Sequence, residues 1–407
     1  MSDTVAVLAD LVRRPSVNPM GRDISGPEYL EGRVTEYLVQ RFTAAGIPWV
    51  RQKVAPGRDN VVARLEATVP NAPVILWDAH QDTVPVDGMT IEPFTPLVRD
   101  GRLYGRGACD VKGGMAAMLV ALDRLRAGDL PRLATVVFSA TVNEEFGFSG
   151  AKALARAWAA QGGELSADEP LQKLIGGIPT AAVVAEPTDL DIVTQHKGAV
   201  RWRVKIHGRS CHSSYPERGE NAIYPAGRAI LAIESIAAEL LTRNPGHPCG
   251  PPTVSVGTVH GGMGVNLVPD LVVLEIDRRV VPGESPSGAR NEVIGRIAAA
   301  CGAARVEHEE PFLENAGLSD TDPQSAALAD RLAEAASSRG GSPRRMAARY
   351  GTNASVFAAA GVPSVVFGPG SIAQAHTADE WIAVEEIDAA ADTLAALVRL
   401  PKTLASP

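Results

Sequence analysis

The sequence predicts an α/β protein: a mixed, mostly parallel sheet flanked by helices, with a smaller α+β unit inserted into it. Three observations carry this. Four short apolar runs are each followed by polar residues, helix-like stretches lie between them, and the middle of the chain switches to apolar/polar alternation. The length agrees, because 407 residues exceed what one hydrophobic core usually holds.

The N-terminal stretch reads as a short amphipathic helix with Val5, Leu8, Leu11 and Val12 on one side. The first apolar run, Val74–Trp77, precedes Asp78-Ala79-His80-Gln81-Asp82, and the second, Ala134–Phe138, precedes Asn143-Glu144-Glu145. The third, Ala181–Val184, precedes Glu186-Pro187, and the fourth, Val362–Phe367, leads through Gly368-Pro369-Gly370 to His376. Continuous apolar runs suit strands covered on both faces, as in parallel sheets. Helices are expected over Gly113–Leu125, Gly150–Ala160 and Ala354–Ala360. Open α/β sheets bind ligands beyond the carboxyl ends of their strands, and all four runs put histidine or acidic residues on that side. In the middle, Val200–Ile206 alternates as a half-exposed strand would. A long helix over Asn221–Leu241 follows, then strands over Thr253–Val259 and Leu271–Val280. The insert spans 195–305, and residues 1–194 and 306–407 form the principal domain.

Composition narrows the function. Aromatics make up 5% of the chain, the formal charge is −8 and no long Lys/Arg run occurs, so no nucleic-acid partner is expected. No apolar run approaches the roughly 20 residues that cross a bilayer, and the N-terminus lacks the apolar core of a signal peptide. Cys109, Cys211, Cys249 and Cys301 show no CxxC spacing, which reads as reduced thiols in a cytoplasmic protein that binds no membrane.

Each polar cluster has an ordinary reading and a chemical one. His80-Gln81-Asp82 alone is a polar strand end. Residues i and i+2 of an extended segment point the same way, so Asp82, or another nearby group, can orient a metal-bound His80. Asp110, in the glycine-rich Gly105–Gly114, is an ordinary helix N-cap or a carboxylate bridging two metals. Cys109 beside it reads as a small buried thiol. Glu144 and Glu145 form a solvated loop, or else a pair whose repulsion a cation relieves: one glutamate binds metal, and the other takes a proton from the water that the metal activates. Glu186 and His376 are loop residues or ligands. Together two histidines and three carboxylates, with one spare glutamate, allow two metals to share Asp110. The imidazoles favour zinc or cobalt over magnesium.

In order, the segments HQDTVP, GRLYGRGACDVKGG, NEEFG, AEPT, GRSCHSS, GVNLVPD and AHTADE resemble the metallopeptidase family of acetylornithine deacetylase, succinyl-diaminopimelate desuccinylase, aminoacylase and glutamate carboxypeptidase. The resemblance spans nearly the whole chain. It implies a zinc-peptidase-like catalytic domain with an inserted dimerisation and lid domain. It implies one metal on His80, Asp110 and Glu186 and another on Asp110, Glu145 and His376. Glu144 is then the general base and acid, with Asp82 the partner of His80. His212 corresponds to a histidine that stabilises the oxyanion, often from the partner subunit, so a homodimer is expected. Asn266, Arg278 and Gly351 correspond to substrate-binding positions, an arginine fork suiting a carboxylate. The chain departs from the family pattern at Asn143, at Ile91 and in Tyr350-Gly351-Thr352-Asn353, where a Gly-Gly-Thr-Asp-type loop is usual.

The expected activity is hydrolysis of an N-acyl amino acid amide bond at two divalent ions. A dipeptidase, aminopeptidase or carboxypeptidase acting on short peptides is the alternative. A non-catalytic binder would not need Glu144, and the glycine-rich Gly105–Gly114 lacks the strand–GxGxxG–helix context of a dinucleotide site.

Overall fold

Four parallel strands form the centre of an eight-stranded sheet, and three of them are the runs ending near His80, Glu144 and Glu186. In order the sheet runs Trp49–Ala55, Arg58–Leu65, Thr135–Thr141, Val74–His80, Ala181–Val184, Ser364–Val366, Ile192–His196 and Arg345–Ala348. The margins turn antiparallel, at Trp49–Ala55 with Arg58–Leu65 and again at Ser364–Val366 with Ile192–His196. The computed structural model describes residues 2–159 and 169–400.

Helices cover both faces, which is why these strands are buried along nearly their whole length and mostly apolar. Ile75, Trp77 and Ala79 face one core with Leu8, Leu11, Met115, Leu119 and Leu394, drawn from the helices Asp3–Val12, Gly113–Ala127 and Val384–Arg399. On the other side the helices Ser149–Ala159 and Asn353–Ala359 pack together through Trp158 and Phe357, with ring centroids 5.6 Å apart. The predicted helices are present with ends shifted by a residue or two; Ala160 lies outside the described residues.

The chain divides into two compact units. One runs to Thr194 and takes in Asp320–Met346 and the chain from Thr352; the other comprises Gln195–Ser319 and Ala347–Gly351. In the second unit an antiparallel sheet orders Thr253–Gly261, Leu271–Val280, Gly198–His207 and Arg305–His308. Leu313–Asn315 also pairs with Gly198–His207, which carries this unit beyond residue 305. The alternation read from Val200–Ile206 has its cause here. Val200, Trp202, Val204 and Ile206 are buried in a core shared with the helices Ile223–Thr242 and Pro286–Cys301. On the opposite face Arg201 and Arg203 pair across the ladder with Asp277 at 3.0 Å and Glu275 at 2.8 Å. No helix among the described residues is long and apolar enough to cross a membrane.

On the opposite face, toward the helix Asn353–Ala359, a carboxylate is buried among hydroxyl and amide groups. Asp78 is inaccessible to solvent in the middle of its strand and accepts from Ser139 Oγ at 2.5 Å, Thr141 Oγ1 at 3.3 Å and Asn353 Nδ2 at 2.9 Å. Burial pushes its carboxyl up to about 6 against the pull of these hydrogen bonds. An aspartate at 353 would set two carboxylates face to face. Asn353→Asp should lower stability at pH 7.5 by about 2 kcal/mol or more, and adding Asp78→Asn should recover most of the loss, as urea unfolding will measure.

Candidate metal centre

The parallel strands deliver their side chains to one end of the sheet. His80 is the last residue of Val74–His80, Glu144 and Glu145 follow Thr135–Thr141, and Glu186 follows Ala181–Val184. Asp110 and His376 come from loops that glycine allows to pass close by. A Cβ on Gly107, whose φ is 78°, would stand 2.6 Å from Thr83 Cγ2; one on Gly370, with φ 87°, would stand 2.6 Å from Cys109 Sγ. Asp110 caps no helix: the helix Gly113–Ala127 begins after Lys112, and a cis peptide joins Asp110 to Val111.

Two groups of ligand atoms result, His80–Asp110–Glu186 and Asp110–Glu145–His376, with the atoms of each group all within 4.8 Å of one another. Asp110 belongs to both. Its Oδ1 lies 3.1 Å from His80 Nε2 and its Oδ2 3.3 Å from His376 Nε2, which is also 3.3 Å from Glu145 Oε2. Tetrahedral zinc with bonds of about 2.0–2.2 Å separates its ligand atoms by roughly 3.3–3.6 Å, close to these spacings.

Electrostatics ask for cations at the same place. His80 Nδ1 donates to the Asp82 carbonyl at 2.9 Å, which turns Nε2 toward the Asp110 carboxylate. Burial opposes charge on His80, but the Asp110 hydrogen bond and the surrounding carboxylates raise its pKa well above the usual imidazole range. His376 is pushed up to about 11 by its hydrogen bonds to Asp110 and Glu145. Asp110 goes the other way: burial would raise it, yet the two imidazoles hold it below the normal carboxylate range. Burial first, and then neighbouring carboxylates, push Glu144 and Glu186 well up. Glu145 Oε1 is buried with no hydrogen-bond partner. Two imidazoles and three carboxylates converging on one point make a donor set that fits divalent cations.

Asp82 is the partner of His80 through its main chain. Its carboxylate lies 3.8 Å from Nδ1 and instead accepts the Glu144 and Glu145 N–H groups at 3.0 and 3.2 Å, and Asn18 Nδ2 at 2.7 Å. The second unit holds the other candidates. His212 and Asn266 are exposed neighbours, with Ser213 N–H donating to the Asn266 carbonyl at 3.0 Å. Arg278 is fully buried and donates to Glu284 at 3.1 Å and to the Arg279 carbonyl, while Gly351 is half-exposed.

Glu380 went unrecognised in the sequence although it closes the AHTADE segment. Its carboxylate accepts the Gly107, Cys109 and Asp110 N–H groups at 2.8–3.0 Å and Arg106 Nη1 at 2.8 Å, so the loop bearing Asp110 is folded around it. A glutamine there keeps the shape but turns an N–H₂ toward some of those donors. Glu380→Gln should weaken metal binding by about 10–100-fold, as calorimetric titration of the metal-free protein will read.

A family model described as peptidase family M20/M25/M40 matches residues 76–400. The chain is 31% identical over 363 residues to an acetylornithine deacetylase of Myxococcus xanthus, covering 86% of this chain and 87% of the relative. Among solved structures, an M20 family metallo-carboxypeptidase from Sulfolobus solfataricus superposes with a TM-score of 0.76 at 18% identity, over 98% of this chain and 99% of that one. A tripeptidase from Staphylococcus aureus gives 0.73 at 23% identity, over 98% and 97%.

Proposed function

The chain belongs to peptidase family M20/M25/M40, a family of metal-dependent hydrolases of amide bonds, and on that premise we propose that it deacylates an N-acyl amino acid of the acetyl or succinyl kind. The observation that carries hydrolysis is the position of Glu144, which adjoins two ligand groups sharing Asp110 and belongs to neither; the 31% identity to an acetylornithine deacetylase favours an acyl amino acid as the substrate. Two zinc ions, or cobalt in their place, would be held by His80, Asp110 and Glu186 and by Asp110, Glu145 and His376. When bound they supply Lewis acidity for the scissile carbonyl and for the attacking water.

This chain's own groups do the rest. Glu144 takes the proton from the water and hands it to the leaving amine, and its burial raises its proton affinity, which suits a carboxyl in that role. Asp82 holds the Glu144 main chain in place and fixes the tautomer of His80. In the second unit we assign His212 to the oxyanion, and Arg278, Asn266 and Gly351 to the substrate. That unit also pairs two copies of the chain: Tyr224, Leu231 and Leu241 leave the helix Ile223–Thr242 exposed and apolar, and Thr253–Gly261 is an edge strand. The free cysteines support a reducing, cytoplasmic setting. The likeness of fold to a tripeptidase and a metallo-carboxypeptidase favours cleavage of short peptides as the second reading.

Zinc- or cobalt-loaded protein assayed on acetyl, succinyl and formyl amino acids beside dipeptides should turn over the acyl compounds faster. A preference for dipeptides selects the second reading. Glu144→Gln should keep the wild-type metal content and lose about 10²–10⁴-fold in kcat; near-normal turnover would remove Glu144 from its role.

A further inference from the structure

We propose that Arg58, held by Glu31, is a positioning residue that fixes the Asn143–Glu145 turn through the Asn143 side chain. The inference rests on the reading of Glu144 as the general base. The turn needs holding, because Asn143 has a φ of 62° and the next two residues are carboxylates crowded against Asp82 and Asp110. Asp82 grips it from one side by taking the Glu144 and Glu145 N–H groups.

The second grip closes on Asn143. Its N–H donates to Glu31 Oε1 at 3.2 Å, its Oδ1 accepts from Arg58 Nη1 at 2.7 Å and Asn18 Nδ2 at 3.0 Å, and its Nδ2 donates to Ser149 Oγ at 3.0 Å. Its carbonyl accepts from Gly147 and Phe148 N–H. Every polar atom of the residue is engaged. Glu31, fully buried just before the helix Gly32–Ala45, accepts from Arg58 Nε at 3.0 and 3.1 Å and Nη2 at 2.6 Å. Asn18 joins the two grips, since the same Nδ2 reaches Asp82 Oδ2 at 2.7 Å.

The chemistry calls for arginine. One edge of the guanidinium docks on Glu31 while Nη1 remains for Asn143, a division of labour that a lysine ammonium cannot reproduce. The Arg58–Glu31 pair ties the turn to a strand, Arg58–Leu65, and to a helix that supplies no proposed metal ligand.

The test uses Asn143→Gly, which keeps the left-handed backbone accessible and the Arg58–Glu31 pair intact, beside Arg58→Lys, Arg58→Ala and the double variant Arg58→Lys/Asn143→Gly. The full-length, metal-loaded proteins are compared. Asn143→Gly should lower kcat at least tenfold with KM within twofold and metal content unchanged, and hydrogen exchange across residues 143–145 should accelerate at least tenfold. The double variant should be no worse than Asn143→Gly, and added guanidinium should restore part of the Arg58→Ala kcat. Wild-type kcat and amide protection in Asn143→Gly, or losses that add in the double variant, would overturn the proposal. Should the wild type hydrolyse none of the substrates, the role of Glu144 fails, while exchange at 143–145 still decides whether the clamp exists.

Discussion

Asp110 is shared by both groups of ligand atoms, with one carboxylate oxygen facing each imidazole at 3.1 and 3.3 Å. A carboxylate in so buried a position is costly unless opposite charge and hydrogen bonds compensate it. The fold can be read as the means of meeting that cost. Parallel strands bring His80, Glu145 and Glu186 to one end of the sheet, glycines let two loops approach, and Glu380 collects the N–H groups around Asp110. The same crowding of carboxylates raises the proton affinity of His80, His376 and Glu186, so the whole cluster favours positive charge at its centre.

Much of this was legible in the chain. Strands covered on both faces are largely apolar, so their carboxyl ends stand out as changes to charged residues, and that change marks His80, Glu144, Glu145 and Glu186. The half-exposed strand Gly198–His207 was equally plain, because one face pairs charges while the other is core. His376 was harder. It lies at φ 62° in a loop well beyond its strand, where no periodicity marks it, and only the company of the other candidate ligands singles it out.

What stayed hidden was pairing between distant residues. Glu380 bonds to residues some 270 positions away, Arg58 reaches Asn143 across 85, and Asp78 meets Asn353 across 275. Local pattern carries no trace of such contacts. The same limit explains Asp82: spacing of i and i+2 put it beside His80, yet which of its oxygens makes the bond depends on where the glutamate turn lies.

The Asp78–Asn353 contact has a consequence for how such a chain can diversify. A single base change converts an asparagine codon to aspartate, which would bring the loop after Tyr350 closer to the commoner form, but that step sets like charges together inside a dry sheet. Neutralising position 78 first strips Asn353 of its carboxylate acceptor. Either order passes through a poorer intermediate, so the two positions are expected to change together, and the pair acts as a lock on the sequences open to this loop.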